Sequence, residues 1–282
     1  MPEGDTIFRA ARTLHRALAG KVVLGFESPL PQLRDAELVG ARVSRVRPRG
    51  KNVLMELEDG RVLHSHLLMS GSWHIYRAED RWRKPRRQMS VLLATDPWRA
   101  VGFDLPVAEL LPRARASALL RSLGPDLLDP RVRIADVLPR LRRVDELPLG
   151  VALMRQHVVA GIGNVYKSEV LFLARLDPYA PVGEVGDEAL LEVLRLAREL
   201  MRRNLVGFAR TTRKRWGGRL WVYGRGGEGC RVCGGRIRMR RQGDEGRSTY
   251  FCPTCQGVRA RRAHLGGDTA METRRRVRGD GS

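Results

Sequence analysis

Hydrophobic and polar positions follow two different periods, and the change of period separates a first helix from a β-rich region. Apolar residues recur at helical spacing near the start, at Ile7, Ala10, Ala11, Leu14 and Leu18. This spacing predicts an amphipathic helix over 5–19, with Gly20 as its C-cap. Short runs rich in β-branched residues follow and predict strands over 22–27, 41–46, 53–57, 62–68, 72–76 and 91–94. One helix and several strands indicate a β-sandwich-like first domain.

The pattern of the second half predicts helices followed by a small basic segment. Helical spacing recurs over 114–123, 134–141, 151–157, 165–174 and 187–203. Residues 209–255 then hold twelve Lys or Arg against three acidic residues. We therefore expect an α+β multidomain protein. Its predicted parts are an N-terminal helix plus β-sandwich at 2–105, a helical domain at 106–208, a basic minidomain at 209–256 and a basic disordered tail at 257–282.

The charge of the chain restricts its partners. The 282 residues include 52 Lys or Arg and 31 Asp or Glu, a formal net charge of +21, which favours a polyanionic partner. The pattern contains neither an apolar run of bilayer length nor a signal-peptide core in the first 20 residues, so we expect an intracellular protein of the cytoplasm or nucleoid with no membrane partner. Only five of the basic residues are lysines, and each deserves individual attention because lysine, unlike arginine, can lose its proton.

Four cysteines form two pairs near the carboxyl end. Cys230 and Cys233 make one C-x2-C pair, and Cys252 and Cys255 make the other after an 18-residue gap. This spacing is typical of a four-thiolate structural zinc site, which leaves no coordination position open for catalysis. A hairpin can form between the pairs, and the metal would replace the core that so small a segment cannot build. Two redox-active or incidental C-x2-C pairs are the alternative.

Two further segments carry residues suited to chemistry on a polyanion. The segment 156–166 has two glycines ahead of a predicted helix, where exposed amides and Asn164 can bind a phosphate. A plain helical hairpin with Asn164 as N-cap is the alternative. At the amino terminus, Met1 precedes Pro2, and removal of Met1 would leave a secondary amine able to attack an aldehydic carbon. Glu3 follows directly, although the same dipeptide is also an ordinary helix start.

Together these pieces resemble the formamidopyrimidine-DNA glycosylase and endonuclease VIII family of base-excision-repair enzymes, over residues 2–256. The family's motifs stand here in the family's order as Pro2-Glu3, Arg49-Gly50-Lys51-Asn52-Val53-Leu54, Gly161-Ile162-Gly163-Asn164 and Gly246-Arg247-Ser248-Thr249-Tyr250-Phe251-Cys252. The resemblance implies a catalytic β-sandwich domain, a helix-two-turn-helix domain and a four-cysteine zinc finger. It also implies one structural Zn²⁺, no organic cofactor, damaged DNA as partner and a monomer.

The implied enzyme is a bifunctional DNA glycosylase and AP lyase that removes oxidised bases. By resemblance, Pro2 is the nucleophile on the sugar C1′, Glu3 the general acid/base, and Lys51 a phosphate and proton-handling contact. Arg247 and Asn164 bind the phosphates around the lesion, and Arg247 assists strand cleavage. Displacing a base with an amine gives an imine whose α-proton is acidified, so β,δ-elimination of the two phosphates follows. Taken alone, Arg247 is one solvated arginine among 47.

The resemblance also implies that the damaged nucleotide is flipped out of the duplex. Apolar side chains then fill the vacancy, and Leu68 and Met69 are the candidates for this wedge. Burial as ordinary residues at the end of a strand is the alternative for both, because alternating apolar residues of a β-domain normally face its core.

Three features depart from the usual pattern of the family. The acid usually found at the position of Thr6 is displaced to Asp5, which leaves a secondary acid role unassigned. The finger hairpin is slightly longer than is common, and the connection over 208–222 is short. The Gly4-Asp5 start and the short connection favour the endonuclease VIII branch and oxidised pyrimidines.

Two other functions stay open. A non-catalytic zinc protein that binds nucleic acid explains the charge, the cysteines and the arginine-rich tail, but it does not need Pro2-Glu3 together with Lys51. A member of the same family that prefers oxidised purines is the second alternative. Double-stranded DNA and single-stranded or bubble DNA are all candidate substrates.

Overall fold

The structure is a computed structural model that describes residues 2–207, 209–213 and 218–258. The predicted tail therefore lies outside the described residues from position 259 onward. No helix in the described ranges combines the length and the apolar character needed to cross a bilayer.

The amino-terminal domain packs helix α1 (Gly4–Leu18) into a β-sandwich. One antiparallel sheet has the order β1 (Gly25–Glu27), β6 (Met89–Ala94), β7 (Trp98–Phe103) and β5 (Ser72–Arg77). The other has the order β2 (Val43–Arg49), β3 (Asn52–Leu57), β4 (Val62–His66) and β8 (Val107–Leu111). The apolar stripe of α1 joins residues from both sheets in one core, so the helix has the amphipathic role that its spacing predicts.

Strands β7 and β8 differ from the sequence-based expectation. No strand was predicted over 98–103, and residues 107–111 were assigned to the helical domain. Instead β8 pairs with β4, with Val62 opposite Leu111 and His66 opposite Val107, so the sandwich continues beyond residue 105. The sequence of β8 is Val-Ala-Glu-Leu-Leu, and Ala, Glu and Leu favour helix; pairing with a neighbouring strand overrides that local preference.

The helical domain is built around a central helix that is buried on nearly all sides. Its helices are α2 (Arg113–Ser122), α3 (Leu138–Arg142), α4 (Leu149–Ala152), α5 (Asn164–Leu173) and α6 (Asp187–Arg203). Every residue of α5 from Asn164 to Phe172 is buried. The helix expected over 151–157 is only the four-residue α4, because the chain turns at 153–160 to enter α5.

The carboxyl-terminal unit is a hairpin of β9 (Arg238–Gln242) and β10 (Arg247–Phe251). Its small core contains Ile237, two of the cysteines and Val222, and it includes Phe172 of α5. The hairpin therefore packs directly on the central helix of the preceding domain. This contact positions the tip of the hairpin next to the amino end of α5.

Candidate active site

The carboxylate of Glu3 lies at the amino end of α5. Glu3 is fully buried and accepts hydrogen bonds from three backbone amides, those of Gly163 (3.1 Å), Val165 (2.8 Å) and Tyr166 (3.3 Å). The N-cap of α5 is Gly163, which has no side chain, so Glu3 supplies the cap from the other end of the chain. A Cβ at position 163 would lie 2.3 Å from Cδ of Glu3, so glycine is required there for steric reasons.

The amino-terminal turn is fixed by a second close contact. The Gly4 amide donates to the carbonyl oxygen of Gly161 at 2.9 Å, and a Cβ on Gly4 would lie 2.5 Å from Cε of Met201. Half-buried Pro2 comes directly before Glu3. The backbone that carries both residues is therefore packed against the start of α5 and against α6.

Lys51 lies in the tight turn between β2 and β3. Gly50 has φ +59°, and its amide donates to the buried carboxylate of Asp126 at 2.6 Å, which holds the turn against the helical domain. Burial lowers the pKa of Lys51. The negative charge of Glu3 opposes this shift and the positive charge of Arg247 adds to it, so Lys51 interacts electrostatically with both residues.

Polar side chains of α5 hold strand β10. Asn164 donates through Nδ2 to Oγ of Ser248 at 3.0 Å. Lys167 donates through Nζ to Oγ1 of Thr249 at 2.8 Å and to the carbonyl oxygen of Ser248 at 3.3 Å. These bonds fix the strand whose first residue is Arg247. Asn164 is the first residue of α5, and the N-cap is Gly163, so the N-cap position that the alternative gave to Asn164 was wrong.

Arg247 is partly exposed and forms an ion pair with Glu245 at 2.7 Å. It lines a surface cavity together with Lys167 and the hairpin tip. The structure thus brings Glu3, Lys51, Asn164 and Arg247 from four separate segments of the chain to one end of α5, with Pro2 next to Glu3. A carboxylate and a lysine of lowered pKa suit proton transfer, and a guanidinium and a side-chain amide suit binding of phosphate oxygens.

Leu68 and Met69 are exposed at the loop that follows β4, with 46% and 63% of their surface accessible. The alternative, in which both are buried at the end of a strand, was therefore wrong. Leu68 has φ +41°, and its amide donates to Nδ1 of His66 at 3.0 Å. Burial lowers the pKa of His66 to about 4, which keeps this ring neutral as an acceptor at physiological pH.

Sequence reasoning missed two charged residues of this region. Glu169 of α5 is fully buried and accepts hydrogen bonds from the amides of residues 221–223, each at 2.8 Å, which ties the start of the finger to the helix. Arg210 lies against Asp5 and Glu3. A carboxylate two residues after Lys167 in an apolar helix was a usable signal for Glu169, whereas Arg210 is one of many arginines in a basic segment.

The four cysteines converge as their spacing predicts. The Sγ atoms of Cys230, Cys233, Cys252 and Cys255 all lie within 4.8 Å of one another. Four thiolates at this separation fit a tetrahedral Zn²⁺, and the set leaves no position for substrate. The site is a structural zinc centre that holds the finger.

Comparisons with known proteins cover most of the chain. Residues 1–104 match the formamidopyrimidine-DNA glycosylase N-terminal domain, residues 123–215 match the H2TH domain of the same enzymes, and residues 227–258 match the zinc finger found in FPG and IleRS. The chain is 42% identical over 278 residues to "Probable endonuclease 8 2" of Streptomyces coelicolor, covering 98% of this chain and 100% of that protein. It is 40% identical over 258 residues to "DNA-(apurinic or apyrimidinic site) lyase Nei2" of Mycolicibacterium smegmatis, covering 91% and 99%.

A solved structure shares the fold. Lactococcus lactis Fpg, in a complex with DNA that contains an abasic site, superposes with a TM-score of 0.75 at 23% identity, covering 90% of this chain and 99% of that one. The likeness extends over the sandwich, the helical domain and the finger.

The zinc centre generates a first prediction. Cys252→Ser should release the metal and unfold the finger while the sandwich stays folded, because metal binding supplies the folding free energy of so small a unit. Metal analysis and limited proteolysis measure the two effects. Thr254→Ala is the matched control, because Thr254 is exposed and lies between Cys252 and Cys255. A wild-type protein without zinc would contradict the assignment.

Lys167 generates a prediction about pH. Burial lowers its pKa to about 7, Glu3 opposes this shift and Arg247 adds to it. In the unfolded chain the pKa is about 10.4, so between pH 7 and pH 10 the unfolded state binds more protons and the folded state gains stability as pH rises. From pH 7 to pH 9 the unfolding free energy of the wild type should rise by about 2 kcal/mol more than that of Lys167→Met.

Urea unfolding at the two pH values measures this difference. Lys21→Met, at an exposed lysine, should keep the pH dependence of the wild type. An equal pH dependence in Lys167→Met and the wild type would mean that Lys167 does not titrate in this range.

Proposed function

The chain belongs to the formamidopyrimidine-DNA glycosylase and endonuclease VIII family, and from this membership we propose that Pro2 is the nucleophile of its reaction. The activity is that of a DNA glycosylase and AP lyase of base excision repair. The observation that carries the proposal is the position of Glu3, buried on three amides of α5 directly after Pro2 and in electrostatic contact with Lys51.

In the proposed reaction, Met1 is absent and the Pro2 nitrogen attacks C1′ of the damaged nucleotide. The C1′–N bond to the base breaks, the base leaves with a proton, and opening of the sugar ring gives an iminium between Pro2 and C1′. Loss of a proton from the adjacent carbon expels the 3′ phosphate, and a second elimination expels the 5′ phosphate. Water then releases Pro2, which leaves a one-nucleotide gap with phosphates at both ends.

Proton transfer in these steps is assigned to Glu3 and Lys51. The Glu3 carboxylate is held by amides on a rigid helix, so its position does not change as protons move. The lowered pKa of Lys51 makes this amine a better proton donor than an ordinary lysine. An arginine at position 51 would retain its proton and could bind a phosphate only.

Arg247 and Asn164 are the proposed contacts to the phosphates around the flipped nucleotide. The two residues lie on elements joined by the hydrogen bond from Asn164 to Ser248, so they form one rigid surface. Exposed Leu68 and Met69 are the proposed wedge in the vacated stack. The zinc ion holds the hairpin that carries Arg247. A monomer stays the prediction.

Oxidised pyrimidines are the proposed lesion class. The Gly4-Asp5 start and the short connection over 208–222 support this choice, as does the similarity to proteins named endonuclease 8. A preference for oxidised purines is the second candidate. We place the enzyme in the cell interior at the nucleoid, where DNA is found.

Borohydride trapping on oligonucleotides with defined lesions tests the nucleophile and the lesion class together. We expect intact mass to show Met1 removed, and trapping to be strongest on oxidised pyrimidines. An amino-terminal extension or Pro2→Gly should abolish the trapped complex, because the nucleophile must be a free secondary amine. Undiminished trapping after Pro2 is blocked would move the imine to a lysine, with Lys51 tested next.

A variant of Arg247 distinguishes a role in the reaction from a general contribution of positive charge to DNA binding. If Arg247 grips the phosphate at the flipped nucleotide, Arg247→Ala should lower the single-turnover rate at saturating enzyme by on the order of 100-fold, because the reacting groups lose their alignment. Arg275→Ala, in the tail outside the described residues, is the control. It should weaken binding modestly and reduce the salt slope by about one, with the rate unchanged. A wild-type rate in Arg247→Ala would leave Arg247 with an electrostatic role only.

A further inference from the structure

Asp5 is a second buried carboxylate next to Glu3, and the proposed reaction does not use it. It is fully buried on the first turn of α1. Both of its oxygens are occupied by Arg210, with 2.6 Å from Nη2 to Oδ1 and 3.2 Å from Nε to Oδ2. A carboxylate held in this bidentate way by a guanidinium has little freedom to exchange protons with a substrate.

Arg210 comes from the segment between α6 and the finger and is itself enclosed. Only 13% of its side chain is exposed, and its guanidinium lies over the ring of Tyr166 at 5.0 Å. Burial acts to lower its pKa, but Glu3 and Asp5 outweigh burial and raise the pKa above the ordinary value. The arginine is therefore a permanent positive charge inside the site.

The distance from this charge to Glu3 is the informative feature. Nη1 of Arg210 lies 3.8 Å from Oε1 of Glu3, within ion-pair range but beyond hydrogen-bond range. The stronger contact is to Asp5, at 2.6 Å. Asp5, with Oγ1 of Thr6 as a further acceptor at 3.1 Å, thus holds the guanidinium close enough to balance the charge of Glu3, but too far to occupy its oxygen.

We propose that Asp5 and Arg210 form a positioning pair for Glu3. Without Asp5, the guanidinium keeps its hydrogen bond to Thr6 but loses the carboxylate that draws it away from Glu3, and a shift toward Oε1 would compete with the proton that Glu3 exchanges. Without Arg210, the buried carboxylates of Glu3 and Asp5 lose the cation between them, while Arg9 stays 3.9 Å from Asp5. The pair also gives the displaced acid at position 5 a role, which is to place a cation. The inference rests on the proposed function, because it concerns the carboxylate assigned to proton transfer.

The test measures the single-turnover rate of the full chain as a function of pH. We expect the profile to shift in opposite directions in Asp5→Asn and Arg210→Gln. A cation nearer to Glu3 favours its ionised form, and loss of that cation disfavours it. The acid limb of the single-turnover profile should therefore move to lower pH in Asp5→Asn and to higher pH in Arg210→Gln. Both variants should lose on the order of 10- to 100-fold in maximal rate, with DNA affinity little changed. Other titratable or charged groups electrostatically coupled to Glu3 are Lys51, Tyr166, Lys167 and Tyr223.

Three controls keep the outcomes separate. Arg210→Lys keeps the charge and should keep the acid limb near that of the wild type. Arg219→Gln, at an exposed arginine of the same segment, should change only the salt dependence of binding. The double variant Asp5→Asn with Arg210→Gln removes both charges of the pair, so it tests the rate even if a single variant fails to fold.

A purely structural pair would lower thermal stability and leave the acid limb in place, which overturns the inference. A double variant with the rate and profile of the wild type would also overturn it. If the wild type forms no borohydride-trapped complex, the proposed function fails first. If the wild type is trapped and these variants behave like it, the inference alone fails.

Discussion

The cap that Glu3 places on α5 is the contact on which the rest of the site depends. The first amides of a helix need an acceptor, and the N-cap residue Gly163 has no side chain to provide one. The carboxylate that fills this need comes from the third residue of the chain, so the amino terminus cannot move without exposing the end of a buried helix. The same contact holds the backbone directly after Pro2. The contact between Glu3 and α5 therefore serves both the stability of the helical domain and the alignment of the proposed nucleophile.

The polar side chains of helix α5 also connect the site to the zinc finger. Asn164 and Lys167 donate hydrogen bonds to β10. Glu169 accepts hydrogen bonds from three backbone amides at the start of the finger. Such groups are costly inside a protein unless they have partners, and here the partners of Asn164 Nδ2, Lys167 Nζ and the Glu169 carboxylate lie in a different segment of the chain. The buried polar contacts therefore specify how finger and helix pack, which an apolar interface alone would leave less defined.

Local pattern predicted most elements, and the spacing of the cysteines predicted how they converge, because both depend on residues near each other in the chain. Strand β8 was missed because its assignment depends on β4, which is distant in sequence. The partnership of Asp5 with Arg210 was missed for the same reason, since the two residues are separated by about two hundred positions and an arginine in a basic segment carries no local mark. Order along the chain reveals the motifs of this site, but the charge balance between them is set by folding.

The division of labour between lysine and arginine follows from that charge balance. A buried cation is costly unless it has an anion or can give up its proton. Arg210 has Asp5 as its anion and keeps its charge, whereas in the described part of the chain the hydrogen-bond acceptors of Lys167 are a hydroxyl and a carbonyl oxygen, and burial lowers its pKa to about 7. Burial also lowers the pKa of Lys51. In a chain with 47 arginines, Lys167 thus occupies a position where a permanently charged guanidinium would be unfavourable, because proton release there relieves the cost of burial.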